Sequence, residues 1–417
     1  GAHRISLCHL PYSTVNTYDD SQVRTSMRDS DGKIWLSESD GKAVSLLDIA
    51  SGKKKYLDST GKITDSFKTF GSSIYAMAQA PDGSVWLGSK PDGAFRLTPN
   101  GDSGYDLKRF DIGNVYDFRF DSRGALWIAT MGEGVIYCPE PSAPTPQFEL
   151  LHQKNGYPAE AQLVRHLVIT GDTMLLASTT SGLLAVDVRM VDNTSDLRAS
   201  LLTSRPGVDS SLGNIAVMDV TVGRDGTILA ATESDGINIV TPSAIDKPDD
   251  WTFSHHNASS GLTDIALAVI EAPENLDGWY LVTSNNRLYM FNPSTGHKMV
   301  YGEWYWGRKL RFTDARPVMT ADGCWVIGHE DGAVTIRPDT VMIDVQISPV
   351  MFTGVSIEGR PERLLSADTD SIILTSAERN IRINFSALDF AYGDEVEYSV
   401  KLDDDEWVNL GKQKSLT

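Results

Sequence analysis

The chain has 417 residues and a formal net charge of −19 at pH 7, which argues against nucleic acid and anionic membrane surfaces as partners. Its 41% hydrophobic content is that of an ordinary folded chain, and no apolar run approaches the ~20 residues of a membrane helix. The three cysteines, Cys8, Cys138 and Cys324, are far apart and odd in number. They point to neither a disulfide framework nor a zinc site and read as small buried hydrophobes.

The chain starts abruptly at Gly1-Ala2-His3 with no signal peptide, and reads as a piece excised from something longer. Arg4 to Leu10 and Ser13 to Tyr18 both carry strand patterns. A repeat then begins. Its clearest copy is Val115 to Tyr137, VYDFRFDSRGALWIATMGEGVIY. A strand over Val115 to Phe120 meets a turn at Asp121-Ser122-Arg123-Gly124, where Gly124 is free to take a positive φ. A second strand, anchored by Trp127, runs to Thr130, and a third begins at Val135. Copies stand at Val23 to Leu47, Ile74 to Leu97 and Arg316 to Arg337, with Trp35, Trp86 and Trp325 in the place of Trp127. Weaker copies fill Arg165 to Val186, Val217 to Val240 and Ile265 to Phe291, with Leu175 and Leu229 at the Trp place in the first two.

Seven copies at a period of roughly 40 to 55 residues are the pattern of propeller blades. Each copy supplies three strands, and the segment that follows, such as Tyr105 to Phe110, supplies an outer fourth. One such sheet cannot bury both its faces; seven stacked radially can. The ring must close or leave an edge, so one of the two N-terminal strands is expected to complete the seventh sheet.

Near Val341 the punctuation stops. Val345 to Ile357, Ser371 to Thr375, Ile381 to Phe385 and Val396 to Leu402 read as strands of a small sandwich with too few strands to be whole. The fold class is therefore all-β: a seven-bladed β-propeller over residues 1–340, then a partial Ig-like β-sandwich over residues 341–417.

The repeats resemble those of the two-component-regulator propeller family. The run Asn380 to Phe390 (NIRINFSALDF), followed by Tyr398 to Leu402 (YSVKL) and Glu406-Trp407, resembles the tyrosine-rich sandwich domain that follows such propellers. Val400 stands where that domain has its second Tyr. The resemblance implies the periplasmic sensor region of hybrid two-component systems of Bacteroides-type bacteria, which detect breakdown products of complex glycans. It also implies an inner-membrane helix and a histidine kinase beyond this chain, and a second propeller or paired subunit as partner. The family usually carries two propellers, so this chain corresponds to the second of them or to a shorter member.

The motifs of metalloproteases, serine hydrolases, nucleotide-binding loops and CxxC sites are absent from the sequence. The Asp-Gly pairs at 31, 82, 225 and 322 lack the further oxygen ligands of a calcium loop and read as turns. His255-His256 reads as a surface loop. No catalytic residue, metal or cofactor is assigned, and the chain is read as a non-catalytic sensing module. The alternatives are a propeller-type polysaccharide lyase or hydrolase, or an assembly module.

Aligning the copies puts Arg24, Tyr75 and Tyr116 at one position, at the start of the innermost strand, and Asp117, Asp219 and Arg316 one step later. The loop after the second strand brings Asn285 and His329 to the same face. Trp304 and Trp306, in the stretch Glu303 to Gly307, extend it outward as a sugar platform or a contact between propellers. Aromatic faces with planar polar groups suit sugar rings. The ligand-binding set is therefore Tyr75, Tyr116, Asn285, Arg316, His329, Trp304, Trp306, Arg24 and Arg165, with an oligosaccharide of neutral or weak charge as the ligand. The acidic balance of the chain weighs against sulfated glycans, because Arg24, Arg165 and Arg316 must offset many carboxylates.

Overall fold

The structure, a computed structural model, describes residues 12–417 apart from 102–103, 192–195, 342–348, 359, 367–370, 374, 376–377, 379, 388–395, 397 and 404–406. Of Met190, Trp304, Asp339 and Thr340 it describes the backbone alone. The expected strand at Arg4 to Leu10 and the residue Cys8 lie outside the described residues. The chain divides into two compact units, Gly1–Val341 and Met342–Thr417.

The first unit contains seven antiparallel sheets of four or five strands among its described residues. Their first strands are Ser26–Arg28, Ile74–Gln79, Val115–Phe120, Val164–Thr170, Val217–Val222, Ala268–Glu271 and Val318–Met319. These first strands lie against one another from sheet one to sheet six, and that of the seventh lies against that of the first. They form a hub from which each sheet extends outward.

The second strands are buried nearly from end to end, as in Ile34–Glu38, Leu126–Thr130 and Trp325–His329. Both their faces pack on neighbouring sheets, which is why they carry no hydrophobic–polar alternation. Between the second and third sheets the approach is close enough that a Cβ on Gly88 would meet Val115 Cγ1 at 2.5 Å.

The Asp–Gly turns tie themselves to the buried tryptophans. Asp121 Oδ1 accepts hydrogen bonds from the backbone N–H of Arg123 (3.0 Å) and Ala125 (2.9 Å). Its Oδ2 accepts from Trp127 Nε1 (3.2 Å). Gly124 closes the turn at φ 83°, which a side chain rarely tolerates. Asp29 does the same for Lys33 N and Trp35 Nε1. Ala80 and Thr320 hold the corresponding places in the second and seventh sheets, and there the buried indole nitrogens of Trp86 and Trp325 have no acceptor. Trp325 does not share the Trp127 place, contrary to expectation: its turn is one residue shorter before the tryptophan, so Trp325 stands level with Leu126, and Val326 takes the Trp place against Ile34 and Leu36 of the first sheet. All four tryptophans are fully buried. In the fourth sheet Ile169 pairs with Leu175 and Val168 with Leu176. Counted from Thr179, the Trp place falls on Leu176 rather than Leu175, because that hairpin is one pair longer.

The seventh sheet is completed by Tyr12–Val15, which pairs antiparallel with Gly332–Ile336, Tyr12 opposite Ile336 and Val15 opposite Ala333. The ring closes by joining the beginning of the described chain to the end of the unit. His255 and His256 lie on a strand, Thr252–His256, rather than a loop. His255 Nδ1 sits 2.6 Å from Asp235 Oδ2, while His256 packs against the ring of Phe291. Cys138 and Cys324 are free thiols.

The second unit pairs Met351–Ile357 with Arg363–Leu364 and Ile381–Ser386, and the last with Ser415–Leu416. Tyr398–Val400 pairs with Val408–Gly411. Ser371 to Ile373, expected as part of a strand, is not in one. Phe385 and Tyr398 meet edge to face at 5.2 Å, and Tyr398 Oη accepts from Ala387 N at 3.1 Å. Phe352, Ile373, Leu402 and Trp407 are exposed. No helix among the described residues is long and apolar enough to cross a membrane.

Candidate binding site on the hub axis

Each first strand must both pair outward and present something to the axis. Four of them do so through a bulge at the same place. Register slips between Ile74 and Ala76, Val115 and Asp117, Val164 and His166, and Val217 and Asp219. The extra residues are Tyr75, Tyr116, Arg165 and Met218. A bulge leaves its residue unpaired and redirects its side chain.

The same place can be counted in the other sheets. Tyr116 stands three residues before Arg119, the partner of Trp127. Arg24 stands three before Met27, the partner of Trp35. In the seventh sheet Val318 pairs with Val326 as Arg119 pairs with Trp127, and Ala315 stands three before Val318. Leu267 stands three before Ile270, the partner of Leu281. Around the hub the order is Arg24, Tyr75, Tyr116, Arg165, Met218, Leu267, Ala315. Arg316 follows that position by one, level with Asp117 and Asp219, as the aligned repeats predict. The seventh first strand is only two residues long, and Pro317 before it lacks the N–H for a further ladder bond.

A cavity of about 550 Å³ occupies this axis, lined by Arg24, Tyr75, Tyr116, Asp117, Arg119, Arg165, His166 and Arg316 among others. Tyr75 and Tyr116 lie with ring centroids 5.2 Å apart. The guanidinium of Arg24 sits 5.7 Å from the Tyr75 centroid, cation–π distance.

One side of the cavity is a buried ionic lattice. Asp117 Oδ1 is 2.8 Å from Arg119 Nη1. Its Oδ2 accepts from Leu167 N in the next sheet at 2.9 Å and lies 3.6 Å from His166 Nδ1 and 3.9 Å from Arg316 Nη1. Asp219 repeats the device: Oδ1 is 2.7 Å from Arg316 Nη2, and Oδ2 accepts from Val269 N at 3.0 Å. Each Asp therefore stitches its own sheet to the following one. Burial pushes the Asp117 carboxyl up, but Arg119, His166 and Arg316 together hold it far below the usual carboxylate range. Burial lowers the Arg316 guanidinium, and Asp219 and Asp117 more than reverse this.

A carboxyl depressed in the folded state adds stability that is complete above its unfolded pKa of about 3.9 and is lost as pH falls through the folded value. Asp117→Asn should therefore melt well below wild type at pH 7, with the gap narrowing below about pH 4. A gap that stayed constant to pH 2 in thermal melts would contradict this account of Asp117.

The other residues expected at a ligand face separate from this cavity. Asn285 lies in a second, shallow groove with Leu262, Asp264 and Asn286. His329 is buried; its Nδ1 accepts from Asp331 N, and burial, with Arg308 nearby, lowers its pKa. Trp306 is buried too, edge to face with Tyr12 at 5.5 Å and donating to Tyr301 O. Of Trp304 only the backbone is described, in the single helical turn Glu303–Trp306. Arg119 and His166 belong to the cavity and were not singled out from the sequence. The signal was there in the Asp117-x-Arg119 spacing, which puts an acid and a base on one face of one strand.

No family model matches the chain, and no curated protein matches it. Solved structures do. A catalytically inactive virginiamycin B lyase from Staphylococcus aureus with quinupristin aligns at TM-score 0.56 and 12% identity, covering 78% of this chain and 97% of that one. The β-propeller domain of Cps50 (Swd1) from Myceliophteria thermophila aligns at TM-score 0.55 and 13% identity, covering 77% and 98%. The first unit accordingly has the β-propeller fold. The extracellular domain of a B. thetaiotaomicron protein assigned to the hybrid two component systems, BT3049, aligns over 94% of this chain and 68% of its own at 15% identity, with a TM-score of 0.34.

Proposed function

We propose that this chain is the ligand-sensing part of an extracytoplasmic sensor region: a seven-bladed propeller that binds an oligosaccharide on its axis, followed by part of a tyrosine-rich sandwich. The observation that carries this reading is the 550 Å³ axial cavity, to which separate sheets contribute two adjacent tyrosine rings, tilted at 39° to each other, and several guanidinium groups. Such walls offer stacking surface for sugar CH faces and donors for hydroxyls.

The resemblance of residues 380–390 and 398–402 to the tyrosine-rich sandwich supplies the context. Two of its residues, Phe385 and Tyr398, form the core of the second unit together with Ala387. In this reading the protein sits in the periplasm, anchored to the inner membrane elsewhere in the same polypeptide. A second propeller or subunit pairs with it, and a histidine kinase carries the output. A ligand can shift such a system only by its differential affinity for two arrangements. The chain itself binds without catalysing.

Calorimetry with a panel of glycan fragments tests the reading. At least one fragment should bind wild type and lose roughly tenfold or more in affinity with Tyr116→Ala, and no fragment should be cleaved. Absence of binding across the panel, or release of cleavage products, would overturn it.

A further inference from the structure

The charge of the axial cavity opposes that of the chain. In a protein of net charge −19, its wall carries Arg24, Arg28, Arg119, Arg165 and Arg316. Facing them are three carboxylates: Asp117 and Asp314 in the wall, and Asp219 bound to Arg316. Asp117 and Asp219 are committed to Arg119 and Arg316. Arg24 and Arg165 are left without a carboxylate or a side-chain hydrogen bond among the described residues, and the Nε of each is buried with no acceptor.

Desolvating a guanidinium without an anion is costly, and the compensation among the described residues, Arg24 over Tyr75, is modest. Nothing in the fold requires these cations. The equivalent positions in the fifth and sixth sheets hold Met218 and Leu267. The two free arginines flank the tyrosine pair in the ring order, giving an arc of Arg24, Tyr75, Tyr116 and Arg165.

Resting on the binding role argued above, we propose that the axial ligand is an anionic saccharide, its acid groups paired with Arg24 and Arg165 and a sugar ring laid against Tyr75 and Tyr116. Planar guanidinium groups suit carboxylate and sulfate oxygens alike, so uronate and sulfate ester share the required chemistry. The acidic surface does not exclude such a ligand. Selection happens on the axis, where the local balance is cationic, and bulk charge is screened over about 10 Å at 0.1 M salt.

The test is calorimetric titration of the whole chain with four probes: a galacturonic acid trisaccharide, a sulfated disaccharide, and the neutral counterpart of each. At least one acidic probe should bind roughly tenfold or more tightly than its neutral counterpart, with the ratio shrinking as salt rises. Which acidic probe does so identifies the acid group. Arg24→Gln and Arg165→Gln should each remove most of that preference, and Arg24→Lys should restore part of it. The unliganded Gln variants should melt no lower than wild type, an outcome that a structural role for these arginines would not give. Equal binding of acidic and neutral probes, still sensitive to Tyr116→Ala, overturns this inference and leaves the binding role standing. Acid preference that survives both Gln substitutions also overturns it. Absence of binding by any probe or glycan overturns both.

Discussion

Trp127→Ala should lower the stability of the first unit by about 3–5 kcal/mol. The indole is fully buried and belongs to a cluster that joins the third sheet (Ala129, Val135, Tyr137) to the fourth (Val164, Leu167, Leu184). Its loss leaves a void between two blades, and backbone on both sides is held by ladders that limit collapse. It also takes a donor from Asp121. Trp86 fills the matching place between the second and third sheets without an indole hydrogen bond. The pair therefore separates packing from polar pairing. Trp127→Phe should cost more than Trp86→Phe, by about 1 kcal/mol, the usual net worth of one hydrogen bond. Urea unfolding of the three variants measures this. A Trp127→Ala cost under about 1 kcal/mol would remove the tryptophans from the account of inter-blade packing.

Deleting residues 1–16 should be comparably severe. The deletion removes the fourth strand of the seventh sheet, leaving Gly332–Ile336 as an open edge. It strips Tyr12 from the Trp306 ring and removes the Tyr12 hydroxyl that donates to Trp306 O. Burial of one aromatic side chain alone contributes roughly 1.5–3 kcal/mol, and the unpaired edge is a template for association with other chains. The expected result is a lower melting temperature together with new oligomers in size-exclusion chromatography, both reversed by adding the 1–16 peptide. A monomer melting like wild type would contradict closure by this strand.

The turns and the tryptophans of the first three sheets were legible in the sequence because local chemistry dictates them, whereas Trp325 lies one residue off their place. Asp121 needs its own loop's N–H groups, and Gly124 needs only its φ. The bulges were not. A bulge preserves the run of apolar and β-branched residues on either side, so Val115 to Phe120 reads as an unbroken strand although Tyr116 is set out of register. Arg24, Tyr75, Tyr116, Arg165 and Arg316 do converge on one cavity, because two adjacent repeat positions at the start of the first strands face the hub axis. Asn285, His329 and Trp306 do not, because a loop's direction and a side chain's burial depend on neighbours distant in the sequence. Trp306 is covered by Tyr12, which lies 294 residues earlier.

The strand that shuts the ring also sets an order of events. Ser13 and Thr335 are 322 residues apart yet joined across one sheet. During synthesis the first strand therefore waits unpaired until nearly all of the unit has been made. At about 5–20 residues per second that wait lasts tens of seconds. Pairings this distant in the chain carry the largest loop-closure cost and are slow to form. The six earlier sheets can assemble by neighbour contacts as they emerge, but the circle is sealed last. In that interval the open first and last blades, rather than any buried core, are the surfaces most in need of protection from aggregation.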